Sequence, residues 1–178
     1  MNLKFETERL ILKPLEICDI DGFFEMNNDP NVNRFLRNPI LTMADAEKYV
    51  AKVINEYKKN GIGRYAVFLK DTGRLIGFSG LKFRESEENN QSDFYDLGYR
   101  FSKDFWKNGY ATEAALFWIN YGFTTMKLDK IHACAENENT ASNHLLQKLG
   151  FQLTNQYYAN NLLHNWYQIK QDSKVLGV

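Results

Sequence analysis

The stretch FWKNGYATEAA, Phe105 to Ala115, decides how this chain is read. An aromatic pair runs into a turn carrying one glycine, Gly109, and the turn opens directly into an alanine-rich helix start. Downstream of it Ala111, Ala114, Ala115, Trp118, Ile119, Gly122 and Phe123 recur at i, i+3, i+4, i+7, i+8, i+11 and i+12. That single apolar stripe predicts an amphipathic helix. Upstream, FYDLGYRF (Phe94 to Phe101) alternates, with Tyr95, Leu97, Tyr99 and Phe101 on one face and Asp96, Gly98 and Arg100 on the other. KIHACAE (Lys130 to Glu136) sets Ile131, Ala133 and Ala135 against His132 and Cys134. Period-2 alternation on both sides of the helix predicts a strand, a crossover helix and a second strand, a right-handed parallel unit. The first turn of any helix has unpaired backbone N–H groups and a partial positive charge. A glycine there lets a ligand approach the main chain, which suits a phosphate or pyrophosphate without requiring lysines. The same small residues also permit a tight left-handed turn and close helix–sheet packing, so both readings stay open on this stretch alone.

The flanking chain supplies the other elements. RLILKPL (Arg9 to Leu15) reads as a first strand ended by Pro14. Asp19 or Asp21 can cap a helix over GFFEMNND, and Pro30 and Pro39 bracket an irregular stretch that includes Phe35 and Leu36. Thr42 is a plausible N-cap for a helix with Ala46, Tyr49, Val50, Val53 and Tyr57 on one side, stopped by Gly61 and Gly63. RYAVFLK and RLIGFSGLKF flank Asp71-Thr72-Gly73 and predict an antiparallel hairpin, while ESEENNQSD reads as a solvated loop. TASNHLLQKLG predicts a short helix with Ala141, Leu145 and Leu149 inward, Leu146 beside them, and Gly150 at its end. FQLTNQYYA and HNWYQIK read as two strands around the turn pair Asn160-Asn161. The order implies an α/β (α+β) fold on a mixed sheet, antiparallel at its start and end.

Composition limits the function. The 178 residues show no repeat, low-complexity tract or linker, so one domain over 1–178, with a core of about 6–170, is expected. Twenty-two basic residues balance 22 acidic ones, which argues against a broad nucleic-acid or anionic-membrane footprint. Cys18 and Cys134 have no metal-ligand spacing and are too few for a disulfide framework, so free, partly buried thiols and a reducing, cytoplasmic setting are expected. MNLKFETERL mixes charges and does not read as a signal peptide, and no stretch approaches the roughly 20 apolar residues of a membrane span. His132, His164 and Cys134 are scattered and of mixed type, so no metal is expected; a lone strand histidine such as His132 is more often a hydrogen-bonded structural group.

Two segments together resemble the GNAT acetyltransferase superfamily. Trp106-Lys107-Asn108-Gly109-Tyr110-Ala111 is similar to that family's Q/R-x-x-G-x-G/A, with Trp106 where Gln or Arg is usual. Asn139, Ser142, Leu145, Lys148, Gly150 and Phe151 complete its N-x-x-A/S-x-x-L-x-x-K-x-G-F. Trp106 before GYATEA, the opening ETERLILKPL and NDPNVNRFL resemble the RimJ/RimL-type branch, over about Glu6 to Lys170. The resemblance implies the acyl-CoA N-acyltransferase fold, with a six- or seven-stranded sheet and about four helices, and acetyl-CoA as co-substrate. By position, the backbone amides of Lys107, Asn108, Gly109, Tyr110, Ala111 and Thr112, with Trp106 anchoring the loop, would grip the pyrophosphate. Tyr99 through Phe101 would hydrogen-bond pantetheine along a strand that splays from the one holding His132 and Cys134. Asn139 would hold the pantetheine arm, and Ser142 would sit near the sulfur.

The implied reaction is direct attack of a primary amine on the thioester. An α-amine with a pKa of about 8 is partly neutral at pH 7, whereas a lysine at about 10.4 is almost wholly charged. A carboxylate acting through water can therefore suffice. Asp96 is the base expected, with a solvated edge carboxylate as its equal alternative; His164 and Glu136 follow. Leu146 stands where many relatives have a tyrosine acid, so Ser142 is expected to donate to the leaving thiolate, although a serine at a helix start is more often a cap. The expected acceptor is a protein N-terminus or a small amine, with Arg34, Phe35 and Leu36 as candidate walls. The alternative is a CoA-binding regulatory or interaction protein without transfer activity. Many members of the family dimerise, and a homodimer is the assembly the resemblance allows.

Overall fold

Several predicted starts and stops have a local cause, although Asp19, expected as a helix cap, makes no cap hydrogen bond to the helix it precedes and instead takes the Glu16 amide and Lys13. In the computed structural model, which describes residues 3–171, Phe5–Glu6 (β1) and Leu10–Lys13 (β2) pair antiparallel. Ile20–Asn27 (α1) and Pro30–Asn33 (α2) follow, then Met43–Asn60 (α3). Asp29 caps α2 through the Asn31 amide at 2.7 Å, with Pro30 as its first residue, so part of the expected irregular stretch is a short helix. At α3 the Thr42 hydroxyl accepts the Asp45 amide at 3.2 Å and the Asp45 carboxylate accepts the Thr42 amide at 2.9 Å, a reciprocal capping box. Arg64–Leu69 (β3) and Leu75–Arg84 (β4) form the expected hairpin. Phe94–Phe101 (β5), Tyr110–Thr124 (α4), Lys130–Glu136 (β6), Thr140–Lys148 (α5), Gln152–Ala159 (β7) and Leu162–Lys170 (β8) complete the order. Asn160 and Asn161 turn β7 into β8 with φ of 51° and 62°.

The strands make one mixed sheet in the order β1–β2–β3–β4–β5–β6–β8–β7, eight strands rather than six or seven, with five α-helices rather than about four. The extra strand is the two-residue β1, too short to carry a periodic signal. The β5–β6 pair is parallel, as the crossover predicts.

Two compact units divide the described chain: residues up to Gly80 with Tyr99–Ala114, and Leu81–Gly98 with the residues from Ala115 on. In the first, α1 and α3 bury Phe23, Met26, Ala46, Val50 and Val53 against Ala66, Leu75 and Phe78. Gly77 leaves the space that Phe101 fills, since a methyl group there would collide with the Phe101 ring. In the second, the α4 stripe behaves as predicted, with Ala115, Trp118, Ile119 and Phe123 buried.

The second unit also corrects two expectations. The inner face of α5 is Asn143, Leu146 and Leu149, whereas Ala141 is exposed and Leu145 half-buried. A buried asparagine replaces an apolar residue in the inward stripe, which displaces the expected face. The 85–93 segment is not merely solvated: Glu88 accepts the Tyr157 hydroxyl at 2.6 Å, and Asn89 exchanges two amide hydrogen bonds with Asn155, each 3.0 Å.

Candidate active site

The first unit holds the turn that opens the chain's crossover helix. Trp106 is extended, Lys107 (φ 62°) and Gly109 (φ 82°) are left-handed, and α4 begins at Tyr110. The α4 ladder starts with the Glu113 amide on the Gly109 carbonyl at 3.0 Å, so the amides of Tyr110, Ala111 and Thr112 precede it. Left-handed residues in a turn of this kind can aim successive N–H groups into one concavity. Trp106 ties the turn to β5 through its Nε1–H on the Phe101 carbonyl at 2.7 Å, and Asn108 donates to the Trp106 carbonyl at 3.0 Å. Trp106 is nonetheless 42% exposed, so it anchors by a hydrogen bond rather than by burial. Phe101 is buried and Tyr99 half-buried.

Two residues missed in the sequence brace this turn. Glu113, in the first turn of α4, accepts from Thr7 Oγ1 at 2.5 Å, the Arg9 amide at 2.8 Å and Arg9 Nε at 2.7 Å. Arg9 also donates through Nη1 to the Asn108 carbonyl at 3.0 Å and lies over the Tyr110 ring at 4.5 Å. A Cβ on Gly109 would sit 3.3 Å from Arg9 Nη2, a second reason for glycine beside its positive φ. Burial alone would raise the Glu113 carboxyl, but the Thr7 hydroxyl and the Arg9 amide and guanidinium outweigh it and hold it below the usual carboxylate range. An acidic residue one turn into a helix is a legible signal for the helix dipole; its partner at position 9 is not, being over a hundred residues away.

The second unit holds the remaining candidates. Asn139 caps α5, its Oδ1 accepting the Ser142 amide at 3.2 Å. Ser142 is therefore not the cap: it is the third helical residue, half-buried. Asn143 locks this corner from below. Its Nδ2 donates to the carbonyls of Glu136 (2.9 Å), Asn137 (3.2 Å) and Asn139 (2.9 Å), while its Oδ1 accepts from Asn165 Nδ2 and Tyr167 Oη, both 2.9 Å.

Asp96 faces inward, not to solvent. It is 6% exposed and bidentate with Arg84, Nε to Oδ1 at 2.9 Å and Nη2 to Oδ2 at 3.2 Å. It stands opposite His132 in the one residue pair that registers β5 with β6, whereas all seven residues of β6 register with β8. Among the described residues no register pair joins Leu97 and Gly98 to Ala133 and Cys134. His132 is buried between Phe94 and Trp166, each ring centroid 5.2 Å away, and neither ring nitrogen has a hydrogen-bond partner among the described residues. It is thus not the hydrogen-bonded group expected. Burial, with Lys130's charge adding and Asp96 opposing, lowers its pKa to about 4, so the imidazole is neutral at pH 7.

Cys134 is half-buried with Sγ 3.1 Å from Tyr157 Oη, and burial together with Cys134 and Glu88 pushes the Tyr157 phenol up. His164 is buried, with Nδ1 3.0 Å from the Leu162 carbonyl, and Glu136 is half-buried opposite it. Cys18 is exposed rather than partly buried. Among the described residues Glu16, Cys18 and Asp19 cluster at metal-ligand range, and Lys13 Nζ already lies 3.2 Å from Glu16 and 3.1 Å from Asp19. Arg34 is exposed over the Phe35 ring at 4.9 Å. No helix of the described residues is long and apolar enough to cross a membrane.

Comparison with known proteins adds the family. The acetyltransferase (GNAT) domain family matches residues 9–152. The chain is 33% identical over 147 residues to the uncharacterised N-acetyltransferase p20 of Bacillus licheniformis, covering 82% of this chain and 80% of that one. It is 24% identical over 159 residues to the spermidine N(1)-acetyltransferase of Escherichia coli K12, covering 86% and 81%. Among solved structures, a GNAT-family acetyltransferase from Bacillus anthracis superposes with a TM-score of 0.77 at 26% identity, covering 94% and 98%. The ribosomal-protein-S5-alanine acetyltransferase of Vibrio fischeri shares the fold, with a TM-score of 0.77 at 17% identity, covering 96% and 98%. A family match across most of the sequence, over a helix mouth of this geometry, means that the chain belongs to the GNAT family and is an N-acetyltransferase.

Proposed function

We propose that this protein moves the acetyl group of acetyl-CoA directly to a primary amine, either a protein N-terminal α-amine or a small amine, as a member of the RimJ/RimL-type branch. The observation that carries the reading is the Lys107–Thr112 turn, whose left-handed residues and pre-ladder amides form a nest at the mouth of α4. A diphosphate suits it because backbone N–H groups and a helix dipole favour two adjacent charges without a lysine. Gly109 keeps the approach free of a side chain, and the Arg9–Glu113 brace fixes the turn before any ligand arrives.

Within this reading the carbonyls and amides of Tyr99 to Phe101 hold the pantetheine arm, helped by Asn139, and Ser142 donates a hydrogen bond to the departing thiolate. Acetyl-CoA supplies an activated acyl group. The amine's nitrogen forms the new C–N bond as the C–S bond breaks, and its proton passes through water to Asp96. Asp96 receives the Arg84 fork through both of its oxygens, Nε on Oδ1 and Nη2 on Oδ2. Leu146 is 1% exposed, so a tyrosine acid has no place at that position and the burden falls on Ser142. Calorimetric titration with acetyl-CoA, followed by thiol release across N-terminal peptides, polyamines and aminoglycosides, tests the proposal. Absence of CoA binding at millimolar ligand rejects it. Binding without release from any amine identifies the regulatory alternative instead.

A further inference from the structure

The first unit contains a guanidinium that the mechanism does not use. Arg100, on β5 between Tyr99 and Phe101, places its Cζ 5.1 Å from the Phe23 ring centre, 4.8 Å from Tyr49 and 5.3 Å from Phe78. The rings pack on one another, Phe23 with Tyr49 at 5.4 Å and 22°, and Phe23 with Phe78 at 5.5 Å and 78°. Phe23 and Phe78 are buried, and Tyr49 and Arg100 each keep part of their surface open.

Aromatic rings engage the face of a guanidinium, through cation–π attraction. They do nothing for its edge, where the five N–H donors lie in the plane. On Arg100 the Nε and Nη2 atoms are covered and have no hydrogen-bond partner among the described residues. Those two atoms form the side-on fork of arginine, and the same chain shows what the fork takes: Arg84 donates Nε and Nη2 to the two oxygens of Asp96 at 2.9 and 3.2 Å. The groups that act on the charge of Arg100 are Tyr49, whose side chain also hydrogen-bonds it, and the like-charged Arg64, with no carboxylate among them. Buried donors without partners are rare in folded proteins and mark places where a ligand, ion or water completes the structure.

Building on the acetyltransferase reading, we propose that Arg100 is the acceptor-recognition residue, and that the acceptor is a small amine carrying a carboxylate, held bidentately by the Nε/Nη2 fork. The strand geometry supports this role. Arg100 lies on β5 between Tyr99 and Phe101, the two residues read as lining the cofactor strand. A fixed cation without a paired carboxylate also repels polycations, which sets this chain apart from an enzyme for spermidine.

The experiment compares matched acceptors on the wild-type protein: amino acids and the dipeptide Gly-Gly against their C-terminal amides, phosphoethanolamine against ethanolamine, and spermidine. Thiol release gives kcat/KM, and calorimetry in the presence of CoA gives acceptor binding without turnover. The carboxylates are expected to bind at least tenfold tighter than their amides, and to react at least tenfold better wherever turnover occurs. Arg100→Lys, which keeps the charge and loses the fork, is expected to raise KM for the acids at least tenfold, to change kcat less, and to abolish the preference for acids over their amides. Equal binding of acids and amides, preference for spermidine, or no acid bound at all overturns the inference even if acetyl-CoA binds and another amine is acetylated. Preference for phosphoethanolamine over every carboxylate also overturns it, in favour of a phosphate acceptor. Loss of acetyl-CoA binding counts against the acetyltransferase reading alone. Should Arg100→Lys fail to fold, the matched pairs on wild type decide the matter.

Discussion

Asn143→Asp changes one buried NH2 group for an oxygen and little else. The native Nδ2 satisfies three carbonyls, of Glu136, Asn137 and Asn139, while Oδ1 takes two donors from Asn165 and Tyr167. In the variant the Oδ1 contacts can persist, but the second oxygen faces three carbonyl oxygens. Leaving a buried polar group unsatisfied costs about 1–3 kcal/mol, and more where charge is involved. We expect a loss of about 3 kcal/mol at pH 7, which lowers the melting temperature by about 6–12 °C in a chain of this size. The sign with pH identifies the cause. Carbonyls and burial both disfavour the carboxylate, so its folded pKa rises above the unfolded value of about 3.9. A raised group contributes its stability fully below the unfolded pKa and loses it as pH climbs through the folded pKa. The deficit relative to wild type should therefore shrink on acidification from pH 7 towards pH 4, where the protonated Asp regains one donor. Circular-dichroism melts of both proteins at pH 7, 6, 5 and 4 measure it. A deficit that stays constant or widens as pH falls refutes the assignment of Asn143 as the donor that holds the Asn139–Ser142 corner.

Glu113→Gln should destabilise by about 1 kcal/mol, since charged hydrogen bonds are discounted where solvent screens them. Because the native Glu113 carboxyl is depressed, its contribution is present above the unfolded value of about 4.3 and lost as pH falls through the folded one, so melts of the two proteins should converge in acid. Gly77→Ala drives a methyl group into the Phe101 ring and should cost about 1–3 kcal/mol in urea unfolding; an unchanged midpoint would mean that Phe101 repacks freely. Ser142→Ala should lower turnover more than tenfold with acetyl-CoA affinity nearly unchanged, and an unaltered rate rejects Ser142 as the acid.

The elements that the sequence made legible are those whose cause is local. The α4 stripe, the Thr42 cap and the Asn160-Asn161 turn depend on residues within a few positions of one another, and each stands where the pattern places it. What could not be read depends on distant partners. Asp96 looks like an edge carboxylate until Arg84 arrives from the neighbouring strand, and Glu88 looks like a loop acid until Tyr157 does. Arg9 braces a turn over 90 residues away. The α5 face differs from the expected one because a satisfied asparagine can be buried beside leucines, a fact about its five partners rather than about its own polarity. Within the proposed site the turn and the Asn139–Ser142 corner were visible as motifs, whereas the packing of Arg100 against three rings left no trace in local spacing.

The single register pair between β5 and β6 also has a kinetic signature. Backbone N–H groups along a strand point alternately to its two neighbours. Strand β6 has its whole length laddered to β8 but only Asp96↔His132 as a register pair with β5. Deuterium uptake along Lys130–Glu136 should therefore come in two classes, slow at every other amide and fast between, as though a single strand belonged half to a core and half to a frayed border. A molecule lying along the open border would erase that alternation without touching a side chain.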